Sequence, residues 1–242
     1  MAAKVPFITT EQMIEVDRAM IEDYHINLVQ MMENAGRNLA HLARQQFLDG
    51  SPENKTIIVL AGSGGNGGGA LVCARRLHNW GASVHVSLAK PRESYTGVPA
   101  HQLGILDQMN ISVTFGKIPS KMKKIHLIID GLIGYSLSGA PRGLTAKLID
   151  WANTQSTPVL ALDVPSGIDA TKGIALRPCI VADATLTLAL PKTGFKSPSI
   201  RKNIGELFLA DISVPPELFI KTGITEQIKH VFTQEEIVRI EV

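Results

Sequence analysis

Six glycines crowd residues 62–69, GSGGNGGG, between an apolar run, TIIVLA at 56–61, and a stretch with helical spacing, ALVCARRLHNW at 70–80. Such a run suits the interior of neither a strand nor a helix, because glycine loses the most backbone entropy on ordering and brings no side chain to pack. It reads as a loop joining a buried strand to a helix. Glycine there permits positive φ and close backbone approach, and the first amides of the helix offer donors to a phosphate. A tight turn for helix–sheet packing explains one or two glycines better than six.

The flanking sequence continues the alternation. Strand-like runs at 83–88, 111–115, 125–130, 159–163, 184–190 and 206–210 interleave with helical patterns at 99–109 and 145–153. Strands alternating with helices imply an α/β fold with a mostly parallel sheet covered on both faces. Ahead of this region, residues 9–47 are helical, with Met13, Val16, Met20, Leu28, Met31, Met32, Ala35, Leu39 and Leu42 at three- and four-residue steps. Thr9 and Gln12 fit a capping box, and Ile26 and Asn27 mark a break between two helices. Methionine at helical spacing reads as core filler. Residues 215–242 are weakly patterned and read as an extension of a single domain, 1–242, whose core is 9–214.

Composition narrows the class. With 242 residues, 45% hydrophobic and 19% charged, the chain has material for a sizeable core, which excludes disordered and collagen-like folds. The net charge is +2 and the dense basic cluster is small, Lys121, Lys123 and Lys124 around Met122, so no nucleic-acid footprint is expected. Cys73 and Cys179 show no CxxC spacing, which argues against a zinc site or a disulfide framework. The first residues lack the apolar segment of an export signal, and no run of about 18 apolar residues occurs. The expectation is a soluble cytoplasmic protein without membrane partners.

Three loops carry the chemistry. Gly62, Gly64 and Gly67 satisfy GxGxxG, but Leu88, Ala89 and Lys90 lack the acidic residue a dinucleotide fingerprint expects, which disfavours an ordinary NAD dehydrogenase. A P-loop fails for want of Lys and Ser or Thr after Gly68, and Ser136 and Ser138 fail the GxSxG pattern. The second loop, DGLIGYSLSGAPRG, starts at Asp130, and the third, DVPSGIDATKG, at Asp163; both put a carboxylate at a strand tip. If the strand order is of the 3-2-1-4-5 type, these loops converge with the glycine loop on one crevice. Oxygen groups from Asn66, Asp130 and Ser166 suit a monovalent or hard divalent cation. The seven histidines, at 25, 41, 78, 85, 101, 126 and 230, show no paired spacing for a transition metal.

Taken together, MMENAG at 31–36, AGSGGNGGGALVCARRL at 61–77, IIDGLIGYSLSGAPRG at 128–143, LALDVPSGIDATKG at 160–173 and ADATLTLALPKTGF at 182–195 resemble the NAD(P)H-hydrate epimerase family, the YjeF N-terminal domain. The resemblance covers about residues 9–214. It implies a Rossmann-like three-layer α/β/α sandwich, a homodimer, and interconversion of the R and S forms of hydrated NADH or NADPH, with K+ in the site. Position by position, it implies substrate contacts from Gly65, Asn66, Gly67, Gly68 and Gly69, from Gly134, Tyr135, Ser136, Leu137, Ser138, Gly139 and Ala140, and from Asp163. Its cation ligands fall on Asn66, Asp130 and Ser166. Asp163 is the expected catalytic proton carrier, and Lys192 matches the lysine of the late strand motif. Where the family reads Asn-Asn-Gly-Gly-Asp, this chain has Gly at 65 and 69, which removes an amide and a carboxylate. That departure keeps open an alternative, a catalytically impaired nucleotide- or metabolite-binding homologue. Some relatives continue into a dehydratase domain, so the resemblance also implies a functional link to a separate dehydratase.

Overall fold

The computed structural model describes residues 5–117, 124–224, 228 and 231–241. Lys121, Met122, Lys123 and His230 lie outside the described residues. Uninterrupted apolar runs form the centre of the sheet: β1 (Thr56–Ala61), β4 (Leu127–Gly131) and β5 (Val159–Leu162) are buried almost throughout, as parallel strands covered on both faces must be. On one side lie β2 (Ser83–Leu88) and β3 (Ser112–Phe115); on the other lie β8 (Ala184–Leu188), β9 (Glu206–Ala210) and β10 (Ile237–Ile240), while β6 (Ile168–Asp169) and β7 (Ile174–Ala175) form a separate small hairpin. The order is β10-β9-β8-β5-β4-β1-β2-β3, parallel except for the antiparallel β9–β10 pair. The β3-β2-β1-β4-β5 portion has the expected order, and its direction of winding reverses between β1 and β4.

Helices cover both faces. On one, α2 (Leu28–Phe47), α3 (Gly65–Asn79) and α4 (Gly97–Gln108) pack Leu39, Ala43, Leu71, Leu77 and Leu103 against Ile57, Val59 and Ile129. On the other, α5 (Gly143–Thr154) packs Leu148 and Ile149 against Ile58, Leu60 and Ile128, and α6 (Arg201–Ile204) adds Ile204 beneath Leu207 and Leu209. The odd and even positions of β1 therefore serve opposite layers, as the two-residue period of a strand requires.

The N-terminal helices follow the sequence reading. Thr9 and Gln12 cap α1 (Thr10–Glu22) reciprocally, at 3.2 and 2.9 Å, and the chain breaks before Asn27, the N-cap of α2. Met13, Val16 and Met20 are buried with Leu218 and Phe219 of α7 (Pro216–Lys221), so the methionine-rich face packs largely within its own chain. The weakly patterned tail contributes both α7 and the edge strand β10. Residues 5–8 add a latch: Ile8 bridges to Lys192, with Ile8 N–H to the Pro191 carbonyl at 2.9 Å and Thr193 N–H to the Ile8 carbonyl at 2.8 Å. No helix among the described residues is long and apolar enough to cross a membrane.

The glycine run departs from expectation. Residues 65–69 are not loop but the start of α3, and none of the six glycines has positive φ. What they supply is space. A Cβ on Gly62 would lie 1.9 Å from the Leu132 carbonyl oxygen, one on Gly67 1.7 Å from the Gly62 carbonyl oxygen, and one on Gly68 2.4 Å from Met32 Sδ. Tertiary packing overrides the poor helix propensity of glycine here.

Candidate functional site

The carboxyl ends of β1, β4 and β5 deliver three loops to the switch point, where ligands bind in open α/β sheets. Asp130, the penultimate residue of β4, is fully buried and ties two of these loops together. It accepts hydrogen bonds from Ser166 Oγ at 2.7 Å, Ser166 N–H at 2.8 Å and Leu132 N–H at 3.1 Å, while Ser166 Oγ accepts from Ile133 N–H at 2.9 Å. Burial pushes the Asp130 carboxyl up to about 6, against the pull of those hydrogen bonds.

Asp163 follows β5 directly, with φ of 64°, a left-handed conformation that non-glycine residues rarely adopt. That turn ends the strand one residue earlier than the apolar run implied. The carboxylate is held at both oxygens: Lys192 Nζ donates to Oδ1 at 2.5 Å and Tyr135 N–H to Oδ2 at 3.0 Å. Lys192 is completely buried and also donates to the Leu188 carbonyl at 2.9 Å. A charge removed from water so fully requires a partner such as Asp163.

Tyr135 connects this pair to the N-terminal helix. Its ring lies under Lys192 Nζ, 5.8 Å from the centroid, and its hydroxyl donates to Asp17 Oδ2 of α1 at 2.5 Å. Burial pushes the Asp17 carboxyl above its ordinary value, with the Tyr135 hydrogen bond and the Lys192 charge opposing that rise and Asp163 reinforcing it. Gly134 is the spacer: a Cβ there would lie 3.0 Å from Asp163 Oδ2 and 3.3 Å from Asn66 Cγ.

Two cavities meet at Gly65, Asn66, Gly134 and Ser136. The first, of about 280 Å³, is lined by Asp17, Tyr135 and Asp163 together with Met13, Leu28, Met31 and Met32. The second, of about 500 Å³, runs past the residue 62–65 turn, Lys90, Leu137, Ser138, Gly139, Ala140 and Arg142. Gly67, Gly68 and Gly69 line neither; they are buried in α3, and a Cβ on Gly69 would sit 2.9 Å from Leu162 Cδ2. Asp130 and Ser166 also line neither.

Among the described residues, no three His, Cys, Asp or Glu side chains converge as metal ligands. Oxygen donors are available nevertheless. Both polar atoms of the Asn66 side chain are buried without a partner, an arrangement that needs one. Asp130 spends three lone-pair positions on its donors and keeps one on Oδ2, and Ser166 Oγ still has acceptor capacity. This donor set fits a hard cation coordinated by oxygen alone.

Sequence reasoning missed Asp17. Its signal is a carboxylate on the apolar stripe of α1, four residues after Met13 and three before Met20. Met13, Met31 and Met32, read as core filler, also line the first cavity, where thioether plasticity suits an apolar wall.

The sheet order, the helix layers and the crevice at the switch point define a Rossmann-like α/β/α protein. Residues 28–194 match the model of the family described as YjeF-related protein N-terminus, and the chain belongs to that family. It is 40% identical over 217 residues to an NAD(P)H-hydrate epimerase of Dehalogenimonas lykanthroporepellens, covering 90% of this chain and 86% of the relative. It is 34% identical to a bifunctional NAD(P)H-hydrate repair enzyme of Salinibacter ruber, covering 87% of this chain and 41% of that longer protein. The crystal structure of yeast ynu0, YNL200c, superposes with a TM-score of 0.83 at 25% identity, covering 98% of this chain and all of the other.

Proposed function

We propose that this chain interconverts the R and S epimers of hydrated NADH and NADPH, as part of nicotinamide cofactor repair. The relatives named as epimerases support the reaction, and the observation that carries it to this site is Asp163, a carboxylate fixed by Lys192 and the Tyr135 amide on the wall of the crevice. Inversion at a carbon bearing both a hydroxyl and a ring nitrogen is achieved when the hydroxyl leaves with a proton, the nitrogen lone pair forms C=N, and water adds to the other face. In this reading Asp163 accepts the proton of the incoming water and stabilises the cationic ring. The turn at 62–65 and the first amides of α3 offer donors to the diphosphate, with Lys90 and Arg142 on the same cavity wall.

Asn66, Asp130 and Ser166 would hold K+, which when bound supplies positive charge beneath the crevice. Residual exposed apolar surface on the N-terminal helices, at Ile14, Ile21 and Leu28, supports a homodimer through that region. The relatives named as bifunctional repair enzymes support a functional link to a dehydratase. The decisive assay mixes purified protein with R-hydrated NADH and times the approach to R/S equilibrium by NMR against the spontaneous rate. Acceleration is expected; equality with the spontaneous rate overturns the reading.

A specific feature favours a second reading, nucleotide binding with impaired catalysis. Gly65 stands at the junction of the two cavities with no side chain to offer. In that case nucleotide binds and the equilibration rate stays at its spontaneous value.

A further inference from the structure

The first cavity contains a second carboxylate, for which the reading above has no use. Asp17 comes from α1, whereas Asp163 comes from the end of the sheet, and each is bonded to Tyr135 at a different end of that residue: Asp17 to the hydroxyl, Asp163 to the backbone N–H. The two carboxylates are thus held apart by the length of one tyrosine while lining the same space. Their surroundings differ in kind. Asp163 has the Lys192 ammonium on one oxygen. Asp17 has only a neutral phenol, and the nearest cation on its own helix, Arg18, is already engaged by Glu15, Glu22 and Asp23. Lys192 and Asp163 are the charged groups that face it from the other elements, with opposing effects.

Resting on the epimerase reading, we propose that Asp17 is a second catalytic residue, the proton donor to the departing hydroxyl, opposite Asp163 as the base. Protonated Asp17 gives its proton to the hydroxyl; the C–O bond breaks, water leaves, and the nitrogen lone pair closes C=N. A water then adds to the opposite face and passes its proton to Asp163, the C=N electron pair returning to nitrogen. One proton has moved from Asp17 to Asp163, and solvent returns it before the next turnover. For the opposite epimer the roles exchange. Two carboxylates with unlike environments on one cavity form the general pattern by which acid and base roles are divided. Burial of Asp17, which raises its carboxyl, supports the acid role.

The test is the pH dependence of R/S equilibration in three proteins. Asp17→Asn keeps an acceptor for the Tyr135 hydroxyl but carries no titrating proton. Its kcat should fall about 100-fold, with KM within about threefold, and the alkaline limb of the wild-type profile should vanish. Tyr135→Phe removes a bond that favours ionised Asp17, so the alkaline limb should move to higher pH, whatever its kcat. A kcat for Asp17→Asn within threefold of wild type, or a lowered kcat with the alkaline limb intact, overturns the assignment. So does an alkaline limb that stays in place or moves to lower pH in Tyr135→Phe. If Asp17→Asn does not fold, the direction of the limb shift in Tyr135→Phe decides. A wild-type protein that never exceeds the spontaneous rate refutes the parent reading instead, and the proposal falls with it.

Discussion

At Asp130 a carboxyl pushed up to about 6 by burial carries a pH signature that can be worked out from its sign. The unfolded chain ionises the group near 3.8, so its contribution to stability is full below about pH 4 and is lost as pH rises through about 6. Roughly two pKa units correspond to on the order of 3 kcal/mol. In potassium-free buffer the melting temperature should therefore fall from this group as pH rises from 4 to 7, and Asp130→Asn should flatten that slope. Potassium should raise the wild-type melting temperature at pH 8, by RT ln(1 + [L]/Kd) in free energy, and leave Asp130→Asn little changed. Equal potassium shifts in both proteins would exclude Asp130 from the cation site. The glycine departures separate on the same scale. At Gly65 a Cβ meets nothing closer than Met32 Cε at 3.8 Å, so Gly65→Asn should fold like the parent and speed equilibration about tenfold, the size of one recovered hydrogen bond of about 1.4 kcal/mol. Gly69→Asp would press a carboxylate toward Leu162 and Ala35 and should lower the melting temperature without a gain in rate.

Among the elements, the α2–α3 contact leaves no room for a side chain beside the crevice. A Cβ on Gly36 would sit 2.4 Å from both the Gly69 carbonyl oxygen and Val72 Cβ. Gly36→Ala should therefore cost about 1–3 kcal/mol, measured by denaturant unfolding, as the two helices part. The same element scale explains what could be read beforehand. The β1, β4 and β5 runs were legible because a strand buried on both faces must be apolar throughout, and Asp130 and Asp163 stood out as the charges that end two of them. The helical start of α3 was not legible, since local propensity assigns GNGGG to a loop and only the crowding by Gly62, Met32 and Leu162 reveals why side chains are absent. Nor was Asp17: its function depends on Tyr135, which lies far along the chain, and no local pattern joins them. The edge strand β10 gave little signal because a short, half-exposed strand needs no strong apolar alternation.

For the whole molecule, Ile14 and Ile21 lie seven residues apart on one face of α1 and remain exposed, so light scattering at micromolar concentration should give the mass of two chains, and Ile14→Asp with Ile21→Asp should give one. A one-chain mass for the unmutated protein would reject the dimer. The latch between Ile8 and the Lys192 turn has a different consequence, one for how the protein can be handled and divided. The family match spans 28–194, yet Ile8 and Asp17 precede it and β9 and β10 follow it. A fragment cut to the matched span would keep Asp163 and Lys192 but lose the strand beside β8, the Met13 and Asp17 side of the first cavity, and the backbone partner of Pro191 and Thr193. Fusions and trimmed versions therefore need the chain from Ile8 through β10 intact, because the lysine that anchors the site is secured by residues from the opposite end of the polypeptide.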